Sequence, residues 1–179
     1  MIFINRLLDY HTHTIHSWDA KNTVQEMCES AVDKGITEIC FTEHFAVREG
    51  DICTDYIDFE HYTKDIQMAK DVFQEQLVIK KGIEISEPHY KKDEISSQIK
   101  DQNLDFIIGS VHSVNGVDLI DYIIHRDQIS IYRDYFEELL KTVSVGDFDV
   151  IGHFDLLRRY AFDSSRSEEH TSELQSHHD

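Results

Sequence analysis

The chain has 179 residues, 40% of them hydrophobic, with 35 acidic against 17 basic residues and a net charge of −18. This length suits one domain with a real core, and the charge repels a nucleic-acid backbone, with no basic stripe to offset it. No apolar run reaches the length of a membrane span, so a soluble protein with no membrane partner is expected.

Residues 1–8 are too short for a signal peptide and lack a small-residue cleavage site. Cys28, Cys40 and Cys53 form no C-x-x-C pair, which fits free thiols in a reducing cytoplasm. Leu7 and Leu8 lead into Asp9-Tyr10-His11-Thr12-His13, read as the end of a short buried strand. Alternation puts Asp9, His11 and His13 on one face, with the two imidazoles about 7 Å apart. That spacing suits one metal ion, and solvated histidines on an edge strand are the alternative. A polar loop follows over 14–21.

Thr23 and Glu26 form a capping-box pattern. Val24, Met27, Cys28, Ala31 and Val32 then repeat at helical spacing, and Gly35 ends the helix. Residues 36–41 are an apolar strand running into Thr42-Glu43-His44. Phe59, Tyr62, Ile66, Ala69 and Phe73 predict an amphipathic helix over 58–76. Residues 77–85 are a third strand carrying Gly82 and Glu84, and Pro88 punctuates the loop after it. A short helix is expected over 91–100 and a strand over 106–111, opening into His112. Asn115-Gly116 signals a turn. A helix over 128–143 and a strand over 148–152 deliver His153. Alternating strands and helices imply a parallel sheet with helices outside, either a barrel or doubly wound.

Residues 166–176, RSEEHTSELQS, resemble the translation of a common sequencing adapter. The expected domain is therefore 1–165, the early part of a longer one, with 166–179 a non-native, disordered tail. His170, His177 and His178 are not counted as ligands.

His11, His13, His44, Glu84, His112 and His153 all fall within or just past the carboxyl end of a predicted strand. In a parallel barrel those ends converge on the face where active sites are built. Singly, each has a plain structural reading: His44 capping a loop, His153 bonded in the core, Glu84 paired with Lys81. As a set they predict a metal centre. Imidazole and carboxylate without thiolate favour zinc, iron or manganese, and a carboxylate such as Glu84 can bridge two ions.

The motifs D-x-H-x-H (Asp9 to His13), T-E-H (Thr42 to His44), G-I-E-I (Gly82 to Ile85), G-S-V-H (Gly109 to His112) and I-G-H-F-D (Ile151 to Asp155) resemble, in order, those of the PHP (polymerase and histidinol phosphatase) superfamily. The resemblance is to its histidinol-phosphatase branch. It implies a distorted (β/α)7 barrel, here lacking its last strands, with two to three divalent ions and hydrolysis of L-histidinol phosphate in histidine biosynthesis. Carried over by position, His11 and His13 hold one ion, with Glu84 bridging to a second whose shell His112 and His153 complete. His44 belongs to the third. Asp19 stands where the family often has a histidine and is assigned there too, with His16 as the competing residue. Glu84 and His44 are the expected catalytic pair.

The family's late D-A-H motif has no match after Asp163. The resemblance thus implies a chain that stops before its last strands, with weakened metal binding and an association-prone sheet edge. Arg158 and Arg159 are candidates for the substrate phosphate, or else a surface pair, and Arg126 is a weaker candidate. Asp9 and Asp155 are expected to orient ligand imidazoles. A small phosphate ester is the expected partner, and the oligomeric state stays open. The alternatives are a phosphoesterase acting on a nucleotide or phosphoprotein, and a metal-binding fragment without catalysis.

Overall fold

The computed structural model describes residues 6–124 and 126–160, so the segment 166–179 lies outside the described residues. Five strands form one parallel sheet: β1 (Leu8–Thr12), β2 (Glu38–Phe45), β3 (Val78–Ser86), β4 (Phe106–Ser110) and β7 (Val150–Ile151). Their spatial order, β1-β2-β3-β4-β7, follows the chain without reversal. A doubly wound sheet reverses at a switch point, whereas barrel winding proceeds strand by strand. The order therefore selects the barrel alternative. Among the described residues β1 and β7 do not pair, so the barrel is incomplete.

Each connection is built from local signals. Helix α1 (Val24–Asp33) starts on Thr23, whose hydroxyl accepts the Glu26 N–H while the Glu26 carboxylate accepts the Thr23 N–H. Helix α2 (Phe59–Phe73) starts on Asp58, which accepts from the N–H groups of Glu60 and His61. Helix α3 (Lys92–Ile99) is short. Helix α5 (Gln128–Val145) starts on Asp127 and ends at Gly146, whose φ of +70° suits glycine.

Alternation along the strands sorts core from site. On β2, Ile39 and Phe41 face outward and pack with Val24, Cys28, Tyr62, Ile66 and Phe73 of α1 and α2. On β3, Ile83 and Ile85 pack with Phe45, Val47 and Ile95. A third cluster seats α5 through Ile131, Tyr135 and Leu139 against Val111, Val114 and Leu157. His44 and Glu84 fall on the other face.

Several expectations need correction. Strand β1 is an edge strand, with Leu7 and Leu8 about half exposed, because nothing among the described residues pairs with its outer side. The stretch after His112 is ordered: β5 (Ser113–Val114) and β6 (Val117–Asp118) form an antiparallel hairpin. Its turn residues Asn115 and Gly116 both have positive φ, as a tight two-residue hairpin turn requires. A one-turn helix α4 (Leu119–Tyr122) follows directly. Strand β7 is shorter than the 148–152 expected.

Candidate metal centre

Register brings the first two residues together. His44 on β2 lies directly across from Glu84 on β3, so both side chains point to the same, helix-free face. Glu84 is fully buried there. Its Oε2 lies 3.1 Å from His11 Nε2, 3.4 Å from His13 Nε2 and 3.1 Å from His44 Nδ1. Its Oε1 lies 2.8 Å from His153 Nε2 and 3.5 Å from His112 Nε2, and accepts the Ser110 hydroxyl at 2.5 Å. Five imidazoles from four segments thus surround one carboxylate, and every histidine expected in the cluster is in it.

His11 and His13 reach it despite an irregularity. The β1–β2 register slips between Asp9 and Thr12, so Asp9 stands opposite Ile39, an outward residue. Simple alternation from Asp9 to His11 therefore fails. Asp9 accepts the His11 backbone N–H at 3.3 Å. His153 follows β7, beyond the strand itself, so alternation does not aim it either. Gly152 permits its approach: a Cβ there would lie 2.3 Å from Ser110 Oγ and 3.4 Å from Glu84 Oε1.

The electrostatics centre on one buried carboxylate ringed by imidazoles. Burial alone would raise the Glu84 carboxyl, but the surrounding histidines outweigh it and hold it well below the usual range. Burial opposes charge on His44, yet Asp19 and Glu84 overcome it and push its pKa up to about 10. Glu84 likewise raises His11. Burial and the neighbouring His44 lower His13 to about 4. His13 and His44 stack with ring centroids 4.1 Å apart, which two imidazolium ions would resist.

The donor set fits metal ions. Glu84 Oε2 is buried and has no hydrogen-bond geometry to the three imidazole nitrogens crowded around it. Converging nitrogen and carboxylate donors in that state are what a divalent cation satisfies. Among the described residues, two groups of atoms lie close enough to share an ion: His11 with Glu84 and His153, and His13 with His44 and Glu84. Glu84 is common to both. The grouping differs from the expected one, which put His11 and His13 on one ion. His112 joins through its Nε2, 3.0 Å from His153 Nε2.

Asp19 lies at the cluster, its Oδ2 3.4 Å from His44 Nε2. His16 does not: its Nε2 is turned to Asp65 at 3.0 Å on α2, so it is neither a cluster residue nor a solvated loop histidine. The loop carrying Asp19 is anchored by Glu43, a fully buried carboxylate not singled out in the sequence. Glu43 accepts from the Thr14 N–H and hydroxyl at 3.0 and 2.7 Å and from the Ser17 hydroxyl at 2.6 Å. Ser17 Oγ in turn accepts the His44 N–H. The middle residue of T-E-H is thus a loop anchor on the helix side, while the last one enters the site.

Lys81 does not pair with Glu84. Its ammonium donates to Thr63 Oγ1 and the Gln102 carbonyl on the helix side. Asp155 is exposed and pairs with Arg158 at 3.7 Å, so it does not orient an imidazole. Arg158 and Arg159 lie exposed on the one-turn helix Leu156–Tyr160 that follows His153. Arg126 stacks over the Tyr122 ring, 4.2 Å from its centroid, which occupies it structurally.

The PHP domain family matches residues 9–178, a range that runs through the segment set aside as a tail. A histidinol-phosphatase of Lactococcus lactis is 29% identical over 161 residues, covering 86% of this chain and 58% of that protein. A probable histidinol-phosphatase of Deinococcus radiodurans is 28% identical over 162 residues, covering 86% and 62%. The crystal structure of histidinol phosphate phosphatase from Lactococcus lactis, complexed with zinc, L-histidinol and phosphate, superposes with a TM-score of 0.80 at 26% identity, covering 86% of this chain and 60% of that one. The chain spans about three fifths of the length of these relatives. Among the described residues no helix is long and apolar enough to cross a membrane.

Proposed function

The chain belongs to the PHP domain family, and on that premise we propose that it is the metal-binding part of a phosphomonoesterase that converts L-histidinol phosphate and water to L-histidinol and phosphate, in histidine biosynthesis. The observation that carries this is the single buried carboxylate of Glu84 ringed by five imidazoles within 3.5 Å. The zinc, histidinol and phosphate named for the Lactococcus structure supply the substrate class.

In this reading His11 and His153 share one ion with Glu84, and His13 and His44 share another. His112 completes the first group, and Asp19 serves a third ion beside His44. Zinc, iron or manganese suits this donor set. Bound divalent ions would activate water at neutral pH and neutralise phosphate charge. The chain's own part is to hold the donors in place: Ser110 donates to Glu84 Oε1, and Glu43 secures the loop that presents Asp19. Glu84 and His44 form the pair proposed for catalysis, His44 with its Nε2 3.4 Å from Asp19 Oδ2. Arg158 and Arg159, exposed just after His153, are the guanidinium groups proposed to meet the phosphate. The domain boundary at 165 and a cytoplasmic location belong to the same proposal.

The test is phosphate release by the metal-loaded protein from L-histidinol phosphate, p-nitrophenyl phosphate, a nucleoside monophosphate and a phosphopeptide. Preference for L-histidinol phosphate is the expected result. Equal or greater release from another ester makes the protein a phosphoesterase of different specificity. Metal uptake with no hydrolysis of any ester makes it a metal-binding module.

A further inference from the structure

At the end of β3 two adjacent buried residues, Ser86 and Glu87, hold His112 from different sides. Ser86 Oγ lies 2.9 Å from Nδ1 of the His112 ring. Glu87 Oε1 accepts the backbone N–H of His112 at 2.5 Å and of Ser113 at 2.8 Å. Glu87 adopts a left-handed conformation, φ 45°, which a residue with a side chain holds only when its surroundings fix it. Here its own N–H donates to the Ser110 carbonyl at 2.7 Å. Its other carboxylate oxygen faces Arg48 Nε at 4.0 Å. Arg48 is itself tied to Asp51, Asp118 and the Gly116 carbonyl, which joins the clamp to the β5–β6 hairpin.

We propose that Ser86 and Glu87 are positioning residues that fix His112 as a metal ligand, Ser86 through the ring and Glu87 through the peptide from which the ring projects. This rests on the metal-centre reading above. When Nδ1–H donates to the Ser86 oxygen, Nε2 keeps its lone pair. Nε2 is the nitrogen aimed at the cluster, 3.5 Å from Glu84 Oε1. Glu87 sets the height and direction of the ring, because two successive amides share one acceptor. Removing that acceptor strands two N–H groups and frees the turn that carries His112.

The experiment uses the full 179-residue chain as wild type, Ser86→Ala, Glu87→Ala and Glu87→Gln. Each is titrated with Zn²⁺ by calorimetry and with Co²⁺ by visible absorption. Ser86→Ala and Glu87→Ala are expected to weaken binding about ten- to a hundredfold and to change the Co²⁺ spectrum. Glu87→Gln keeps an oxygen able to accept both N–H groups and is expected to restore wild-type affinity and spectrum. Wild-type affinity and spectrum in both alanine variants overturn the clamp while leaving the metal centre standing. Failure of the wild type to take up either ion overturns the metal centre and the clamp with it. If Glu87→Ala fails to fold, Ser86→Ala decides alone, its melting curve in chelator serving as the folding control.

Discussion

Glu84 concentrates the chemistry of this protein in one side chain. Its two oxygens meet five imidazoles and one hydroxyl, so no neighbouring residue can replace it. Glu84→Ala is expected to lower Zn²⁺ affinity more than the roughly hundredfold loss that removal of an outer partner can cause, as measured by competition with a chelating dye. Gly152 is constrained by space rather than by charge. A methyl group there would collide with Ser110 Oγ at 2.3 Å and push it off Glu84. Gly152→Ala is expected to destabilise the fold by about 1–3 kcal/mol and to reduce Zn²⁺ affinity, checked by urea unfolding and calorimetry on the same sample.

Helices and strands divide their work so that stability and chemistry can be changed separately. The Thr23–Glu26 capping box closes the start of α1 on the outer side, away from Glu84. Thr23→Ala is expected to cost about 1 kcal/mol of stability and to leave Zn²⁺ affinity unchanged. Glu43 lies on the same helix side but is coupled to the site through the 14–19 loop. Glu43→Ala would strand the Thr14 N–H, the Thr14 hydroxyl and the Ser17 hydroxyl. A loss of about 3 kcal/mol is expected from three buried donors without an acceptor, with faster amide exchange confined first to the loop that carries Asp19. Unchanged exchange there would remove Glu43 from its assigned role.

Across the whole molecule, ions would act as a tie between distant parts of the chain. The residues around Glu84 come from β1, β2, β3 and the segments after β4 and β7. A cation bound by the folded arrangement alone stabilises it by mass action, about 2.7 kcal/mol at a hundredfold excess over Kd. Zn²⁺ is therefore expected to raise the melting temperature of the wild type and to leave Glu84→Ala unmoved, as followed by circular dichroism. Two short, partly exposed strands, β1 and β7, bound the described sheet. Unpaired strand edges recruit other chains.

Elements that depend on neighbours in sequence could be read directly. The capping box, the apolar spacing from Phe59 to Phe73 and the Asn115-Gly116 turn all follow from contacts a few residues long. So did the gathering of His11, His13, His44, Glu84, His112 and His153, because parallel strands carry their carboxyl ends to one side. The strand–helix alternation left barrel and doubly wound open; the family resemblance implied the barrel, and the strand order bears it out. What alternation could not reach was decided by tertiary structure. The slip in β1 set Asp9 against the His11 backbone N–H, and His16 found Asp65 on a helix distant in sequence. Glu43 and Glu87 were buried as backbone anchors, since their partners lie on loops whose paths no local pattern sets. Local propensity follows from covalent chemistry and spacing, but which buried carboxylate meets an imidazole and which meets an amide depends on how separate segments pack.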